Sequence, residues 1–587
     1  MASIAASAAR TTPVHLVTVL HGLWGAPQHV NYIVESVTRQ AAAATRTGKD
    51  RGHTPATKVV VLAPSTNAES FAHTYDGIDV CADRVLAEID AECKRITTED
   101  PSARIAKFSI VGYSLGGLIA RFVLGLLDSR QPSFFDQVEP VHFATFASPA
   151  IGIPHYETFW SGTFRFLGSR LLSRTGNQLY ERDRFLPERF TENGNTPEQD
   201  RCKTGLGRYL PRGKEKAEPL LKIMADPRYS FHQALLKFKH VDVFANTVND
   251  RTVPFPTGAF EAHDPFALAR AQAKKAADAR GDDPDAVPDI REGGLEVHLV
   301  RSTPLVESYG PPEKPFVPSP EALAKNKKRR FRLRLPLLLR PTTYPFSRPV
   351  SLLVICFLPI ALPLSVGFLI TRFALQGRES RKRIATARKE KGEGREGMLM
   401  RVGVRIGEIA EQVGGDNPEY AADLETSETE EGSYESERDQ GTGGDGNGNG
   451  NGEASERRVV GTRTPASAAS TPRTSSAASS ARSSSPLIPV SSASPAPSAG
   501  APATTRGPAP TAATLAEARK LRTDPALSPS QLFQLEHLNA IPQLRKHYVY
   551  LPHARNAHGA IVRRDPAIAM HREGKKVVDA WVSGFEV

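Results

Sequence analysis

Cysteine is scarce in this chain. Its 587 residues hold four, Cys81, Cys93, Cys202 and Cys356, and no two stand at the spacing of a metal site or a redox motif. Thiols so few and so scattered build no disulfide framework, and a reducing compartment is expected. The first residues also lack a secretory pattern. Met1 to Pro13 is small and polar with one arginine, and the first apolar run, Val14–Leu20, is too short for the core of a signal. The protein is therefore expected not to be secreted. Aromatics are few where the charge is densest. Net charge is +11 with a sequence pI near 9.4, and the basic excess gathers around residues 325–395 beside an apolar segment. A nucleic-acid surface interleaves aromatics with such a run. No nucleic-acid partner is expected, and an anionic membrane surface suits the charge better.

What is present begins with rhythm. Charged residues make up 24% and hydrophobic residues 40%, ordinary for a globular protein with coreless additions. Residues 14–128 alternate strand-like and helix-like stretches, and a further strand follows at 141–146. Val14–Leu20, Lys58–Ala63, the run ending at Val111, and Val141–Phe146 are rich in β-branched and apolar residues. Between them Gln28–Ala44, Asp76–Ile96 and Leu118–Leu127 read as helices. This order predicts an α/β fold with a mostly parallel sheet covered by helices on both faces. Residues 150–238 break the rhythm with aromatics, arginines, glycines and prolines, and read as a cap or lid insertion. The sheet resumes at Val241–Asn246. The main part of this α/β domain is placed at 11–310.

Residues 325–395 form a separate unit. An uncharged run, Pro349 to Thr371, lies between Lys325–Arg348 basics and a second basic cluster from Arg372 to Arg383. It is long enough to cross a bilayer once. Basic flanks on both sides, with Pro359 and Pro363 mid-run, favour a re-entrant membrane hairpin, which also suits a lipid-droplet monolayer. A single spanning helix is the alternative. Leu399, Val402, Ile406, Ile409 and Val413 recur at helical spacing, so 396–413 reads as an amphipathic helix. Residues 414–513 are acidic, then Gly/Asn-rich, then Ser/Ala/Pro/Thr-rich, and are expected to be a disordered insert. Order returns in 514–587, with a helix at Leu532–Leu544, a strand at His547–Leu551 and a last helix at Gly574–Phe585.

Gly112-Tyr113-Ser114-Leu115-Gly116 carries the chemistry. A G-x-S-x-G between a strand and a helix is a nucleophile elbow: the turn is too tight for a Cβ at either glycine, and the serine stands at its apex. A serine hydroxyl needs a base within hydrogen-bond reach, and the base an orienting carboxylate. In chain order the acid comes next and the base last. Asp250 follows the Val241–Asn246 strand and is the candidate acid, with Asp242, inside the strand, as its rival. His558 follows the last strand among small neighbours and is the candidate base, with His553 as its rival. Donors for the oxyanion are expected from the backbone amides of Leu115, after the nucleophile, and Leu23, in the His21–Gly25 loop.

Together these stretches resemble the fungal serine esterase family of α/β-hydrolases, which includes lipid-droplet phospholipases. The matching pieces are His-Leu-Val-Thr-Val-Leu-His-Gly-Leu-Trp-Gly (15–25), Tyr-Asp-Gly-Ile-Asp (75–79), Gly-Tyr-Ser-Leu-Gly-Gly-Leu (112–118), Phe-Ala-Ser-Pro (146–149), Asp-Arg-Thr-Val-Pro-Phe (250–255) and Ala-His-Gly-Ala-Ile (557–561). Arg174–Leu179 and Met224–Pro227 add weaker matches. The resemblance implies an α/β-hydrolase fold and a lipase or phospholipase acting on glycerolipids, with nucleophile Ser114, acid Asp250 and base His558. It departs from the pattern in the long insert between acid and base. Water completes such a cycle, so no metal or cofactor is expected. The implied location is a lipid droplet or the cytoplasmic face of the endoplasmic reticulum membrane. An acyltransferase using the same residues, or a non-catalytic lipid-surface scaffold, remain alternatives.

Overall fold

The β-branched runs assemble into one six-stranded, fully parallel sheet in the order β2-β1-β3-β4-β5-β8. The structure is a computed structural model that describes residues 11–49, 57–69, 72–157, 167–185, 218–280, 289–313, 348–392, 504–505 and 507–587. The segments 396–413 and 414–503 lie outside these residues, as do 158–166 and 186–217 of the segment read as a cap. Strands β1 (Thr12–Leu20), β2 (Lys58–Leu62), β3 (Ala103–Tyr113), β4 (Glu139–Phe146) and β5 (His240–Asn246) fall where the apolar runs place them, with small shifts at their ends. A short antiparallel pair, β6 (Glu296–Leu299) and β7 (Val306–Gly310), follows. Strand β8 (Leu544–Val549) then adds to the sheet beside β5, with Phe244 opposite His547 and Asn246 opposite Val549.

Side chains alternate across the strands, and each face of the sheet has its own core. One face takes Leu16, Phe108, Ile110, Phe143, Val241 and Val243 and is covered by α2 (Ile78–Glu99) and α3 (Leu115–Asp128). The other takes Val17, Val19, Val111, Phe146 and Phe244 and is covered by α1 (Asn31–Lys49) and the C-terminal helix Gly574–Ser583. This is the α/β-hydrolase arrangement. Helix α3 is buried along its whole length, which explains why its sequence is apolar on every side.

After β4, the described parts of 150–238 pack into the first core. They include α4 (Ser173–Leu179), α5 (Leu220–Ala225) and α6 (Ser230–Lys237). Phe231 of α6 lies over Gly125 of α3 so closely that a Cβ there would sit 2.0 Å from the ring. Arg174 and Gln178 of α4 bind the buried Asp79 at the start of α2. Beyond β5 come α7 (Phe255–Ala259) and α8 (Pro265–Arg280).

The hairpin expected at 349–371 is not what the chain forms. Residues Arg348–Gly392 make one continuous helix, α9, that passes through Pro359 and Pro363 without reversing. Each proline removes one helix hydrogen bond; a reversal would free many more backbone groups, and the helix keeps them. Residues 361–370 are exposed on every side, while Phe373, Gln376, Gly377, Ser380, Arg383 and Ile384 are buried or half-buried. The helix is therefore free along its apolar half and docked along one face of its basic half. It is the one helix among the described residues long and apolar enough to cross a membrane by length and composition.

The C-terminal segment starts earlier than its composition suggests. Thr505 donates its N–H to Lys546 O at 3.0 Å, and its hydroxyl accepts from Tyr548 N–H at 2.9 Å. The sheet edge thus captures a residue assigned to the insert, because β8 leaves backbone groups open on that side. Helices α10 (Ala512–Leu521), α11 (Pro529–Asn539), α12 (Ala557–Ala560) and α13 (Gly574–Ser583) complete the fold.

Candidate active site

Glycines set the elbow. A Cβ on Gly112 would lie 2.3 Å from Gly117 Cα, and one on Gly116 would lie 2.6 Å from Leu20 O. Both are backbone contacts that cannot relax. Ser114 sits between them at φ 57° and ψ −127°, a region a side-chain-bearing residue rarely occupies and one that costs energy the surroundings must supply. They do so in part through Ser114 N–H, which donates to Phe146 O at 2.9 Å. The hydroxyl is held at the head of α3 and is 7% exposed as a residue.

The three residues expected to act together meet here. His558 Nε2 lies 3.0 Å from Ser114 Oγ, and His558 Nδ1 lies 3.1 Å from Asp250 Oδ2. Asp250 is seated by Thr252 N–H (2.9 Å) and Val253 N–H (2.8 Å) on Oδ1, and by Asn246 Nδ2 (2.8 Å) on Oδ2. Burial alone would raise its pKa; His558 and these donors outweigh it, and the carboxyl sits below its ordinary value. The base is positioned by its own short helix. Asn556 caps α12, accepting His558 N–H at 3.2 Å. Asn249 O accepts Ala557 N–H at 2.9 Å, and Tyr113 Oη donates to His558 O at 3.0 Å. Acid loop, base loop and elbow are thus cross-tied through the backbone.

The rivals lie elsewhere. His553 is exposed. Asp242 is fully buried in β5, bound to Arg545 (2.8 and 2.6 Å) and to His547 Nε2 (2.8 Å). Burial pushes its pKa up, but His547 and Arg545 prevail and bring it to about 2. This second Asp–His pair holds β8 to β5 and does not face the serine. His142 is buried between Phe585 and His240.

The loop after β1 comes against the nucleophile. A Cβ on Gly22 would lie 2.6 Å from Ser114 Cβ and 3.1 Å from its Oγ, so only glycine lets the backbone this close. His21 Nδ1 bonds Gly22 O at 3.0 Å, and Gly25 N–H donates to the same carbonyl at 3.0 Å. Burial lowers the His21 pKa, which leaves that ring neutral. Leu23 follows Gly22 in this turn, and Leu115 is the first residue of α3. Both candidate oxyanion donors therefore stand on elements that border Ser114.

Residues 10–264 match the family described as Putative serine esterase (DUF676). Through this region, under half of the chain, the sequence is similar to that serine esterase family. Fungal relatives agree. "Putative lipase C4A8.10" of Schizosaccharomyces pombe is 28% identical over 208 residues, 35% of this chain and 22% of that protein. "Putative lipase ROG1" of Saccharomyces cerevisiae is 28% identical over 251 residues, 42% and 29% of the two chains. "Putative lipase YDR444W" of Saccharomyces cerevisiae is 30% identical over 159 residues, 27% and 20%. Each match spans less than a third of the relative's own length. The esterase-family match holds Ser114 and Asp250; His558 comes from the part of the chain beyond it. The residues that sequence reasoning missed are the positioning ones. Asn246, Asn249, Asn556 and Tyr113 bear on the site only through tertiary contacts, and the one signal for them was their nearness in sequence to the acid, base and nucleophile.

Proposed function

We propose that this protein is a serine esterase that hydrolyses acyl esters of glycerolipids at a membrane or lipid-droplet surface. The observation that supports it is the hydrogen-bond chain from Ser114 Oγ through His558 to Asp250. In this reading His558 Nε2 takes the serine proton as Oγ attacks the ester carbonyl. Asp250 keeps the proton on Nδ1 and stabilises the imidazolium. The Leu23 and Leu115 amides hold the oxyanion. The imidazolium then protonates the departing alcohol, and water, activated by the same base, releases the fatty acid. The substrate class and the location rest on α9. Its apolar half exposes Phe357, Ile360, Leu364 and Phe368 at 59%, 64%, 69% and 68%, each unfavourable in water by roughly 1 kcal/mol or more. A continuous helix favours a bilayer on the cytoplasmic face of the endoplasmic reticulum over a droplet monolayer.

Full-length protein in mixed micelles with acyl-labelled phosphatidylcholine should release labelled fatty acid. Ser114→Ala should abolish release while the protein still pellets with membranes; full activity in that variant would overturn the nucleophile assignment. Deleting 349–371 should move the protein to the soluble fraction, and unchanged pelleting would dismiss the anchor. An added acceptor alcohol that captures the label reports acyl transfer instead of hydrolysis.

A further inference from the structure

The docked half of α9 reaches the turn that carries the candidate oxyanion donor. Trp24, next to Leu23, has a left-handed backbone (φ 53°) and is held by three contacts. Its N–H donates to Thr74 Oγ1 at 3.3 Å, and its indole Nε1 donates to Tyr75 Oη at 2.6 Å. Its ring stacks on Phe373 of α9, centroids 6.0 Å apart and planes 16° apart. The same helix also clamps the segment that receives those two hydrogen bonds. Arg383 donates to both oxygens of Asp76 (3.2 and 2.8 Å) and to Ala72 O (3.0 Å). The Asp76 side chain is fully buried and also binds Arg84. Ser380 is buried against Ser173. Phe373, Ser380 and Arg383 fall on one face of α9, and Phe373 lies two residues past Thr371, where the exposed apolar run ends.

We propose that Phe373 and Arg383 are positioning residues for ester hydrolysis: the membrane helix holds Trp24, and through it the Leu23 amide, in the geometry that receives the oxyanion. The anchor is thus part of the catalytic frame. A left-handed backbone at Trp24 is costly for a bulky residue, so its seat must be supplied; α9 supplies one wall directly through Phe373 and braces the 72–76 segment behind the others through Arg383. An amide displaced by about 1 Å loses on the order of a hundredfold in rate, and loss of one oxyanion donor costs about 10²–10³.

This inference rests on Ser114 being the nucleophile and not on the lipid substrate, so its test uses a soluble ester. Full-length Phe373→Ala, Phe373→Trp, Arg383→Ala and Arg383→Lys are compared with the parent in detergent, with p-nitrophenyl butyrate as substrate and sedimentation with vesicles as the measure of anchoring. The alanine variants should lose about 10- to 100-fold in kcat with KM and vesicle sedimentation unchanged, and Phe373→Trp should recover most of the loss. Parent-like kcat in both alanine variants overturns the proposal. So does a kcat loss that appears only together with loss of sedimentation, because that assigns these residues to anchoring alone. Cleavage of the soluble ester without any cleavage of phospholipid removes the lipid reading and, with the kcat pattern above, still supports this one. No reaction of the parent at Ser114 with a fluorophosphonate overturns both.

Discussion

Asp250→Asn isolates the role of one carboxylate with little change of shape. In the structure Oδ1 accepts two backbone N–H groups, and Oδ2 accepts from Asn246 and faces His558 Nδ1. An asparagine can keep its oxygen in the Oδ1 position. Its new NH2 then occupies the Oδ2 position. Asn246 tolerates this by flipping, since its own Oδ1 has no hydrogen-bond partner among the described residues and can accept from the new donor. His558 does not tolerate it: Nδ1 must become an acceptor, the ring proton moves to Nε2, and Nε2 can no longer take the Ser114 proton. The fold should survive while the base is held in the wrong tautomer. Such a change costs about 10³–10⁴ in kcat, or about 4–5 kcal/mol of transition-state stabilisation. Steady-state hydrolysis of p-nitrophenyl butyrate at pH 7.5, with thermal unfolding measured on the same preparations, checks both halves. A variant with kcat within tenfold of the parent and an unchanged melting temperature would refute the assignment of Asp250.

Gly22→Ala places a methyl 2.6 Å from Ser114 Cβ; the turn must retreat from the nucleophile, and kcat on the soluble ester should fall by about a hundredfold or more, whereas a loss under threefold would deny that this loop borders the reacting atoms. Acid stability should depend on the buried histidines. Burial lowers both His15 and His142 from an ordinary 6.5 to about 3, so the unfolded chain binds the extra protons first. The associated stability is complete above pH 6.5 and is lost as pH falls toward 3, about 2 kcal/mol per histidine by pH 5. His142→Gln keeps an acceptor for Glu586 N–H, which the imidazole now binds at 2.9 Å. Urea unfolding at pH 7.5 and pH 5.0 should show the variant losing about 2 kcal/mol less than the parent between the two, and equal losses would count against the buried neutral ring.

The sheet was legible because a parallel strand buried on both faces needs a β-branched run, and five of its strands are such runs. Ser114 was legible for a steric reason: Gly112 and Gly116 face backbone atoms, and no other residue fits. Asp250 and His558 were reached by chain order and by resemblance. What separates His558 from His553 includes bonds from Asn249 to Ala557 and from Tyr113 to His558, both from distant segments, and nothing local in 552–562 expresses those two. Of the two courses open for 349–371 the chain takes the single helix: two prolines look like a reversal in a short window, while a 45-residue helix loses little by carrying them. Its docked face was invisible for another reason. Phe373, Gln376, Gly377, Ser380, Arg383 and Ile384 mix polar and apolar types, so no hydropathy period marks them.

The placement of β8 has a consequence for how the protein is made. Helix α9 ends at Gly392 and β8 begins at Leu544, so a ribosome finishes this helix about 150 residues before the strand that leads to His558. At roughly 5–20 residues per second this is an interval on the order of ten to thirty seconds. During it a nascent chain holds Ser114, Asp250 and the long apolar helix, and lacks the imidazole of His558. The long apolar helix is complete well before the imidazole can reach Ser114.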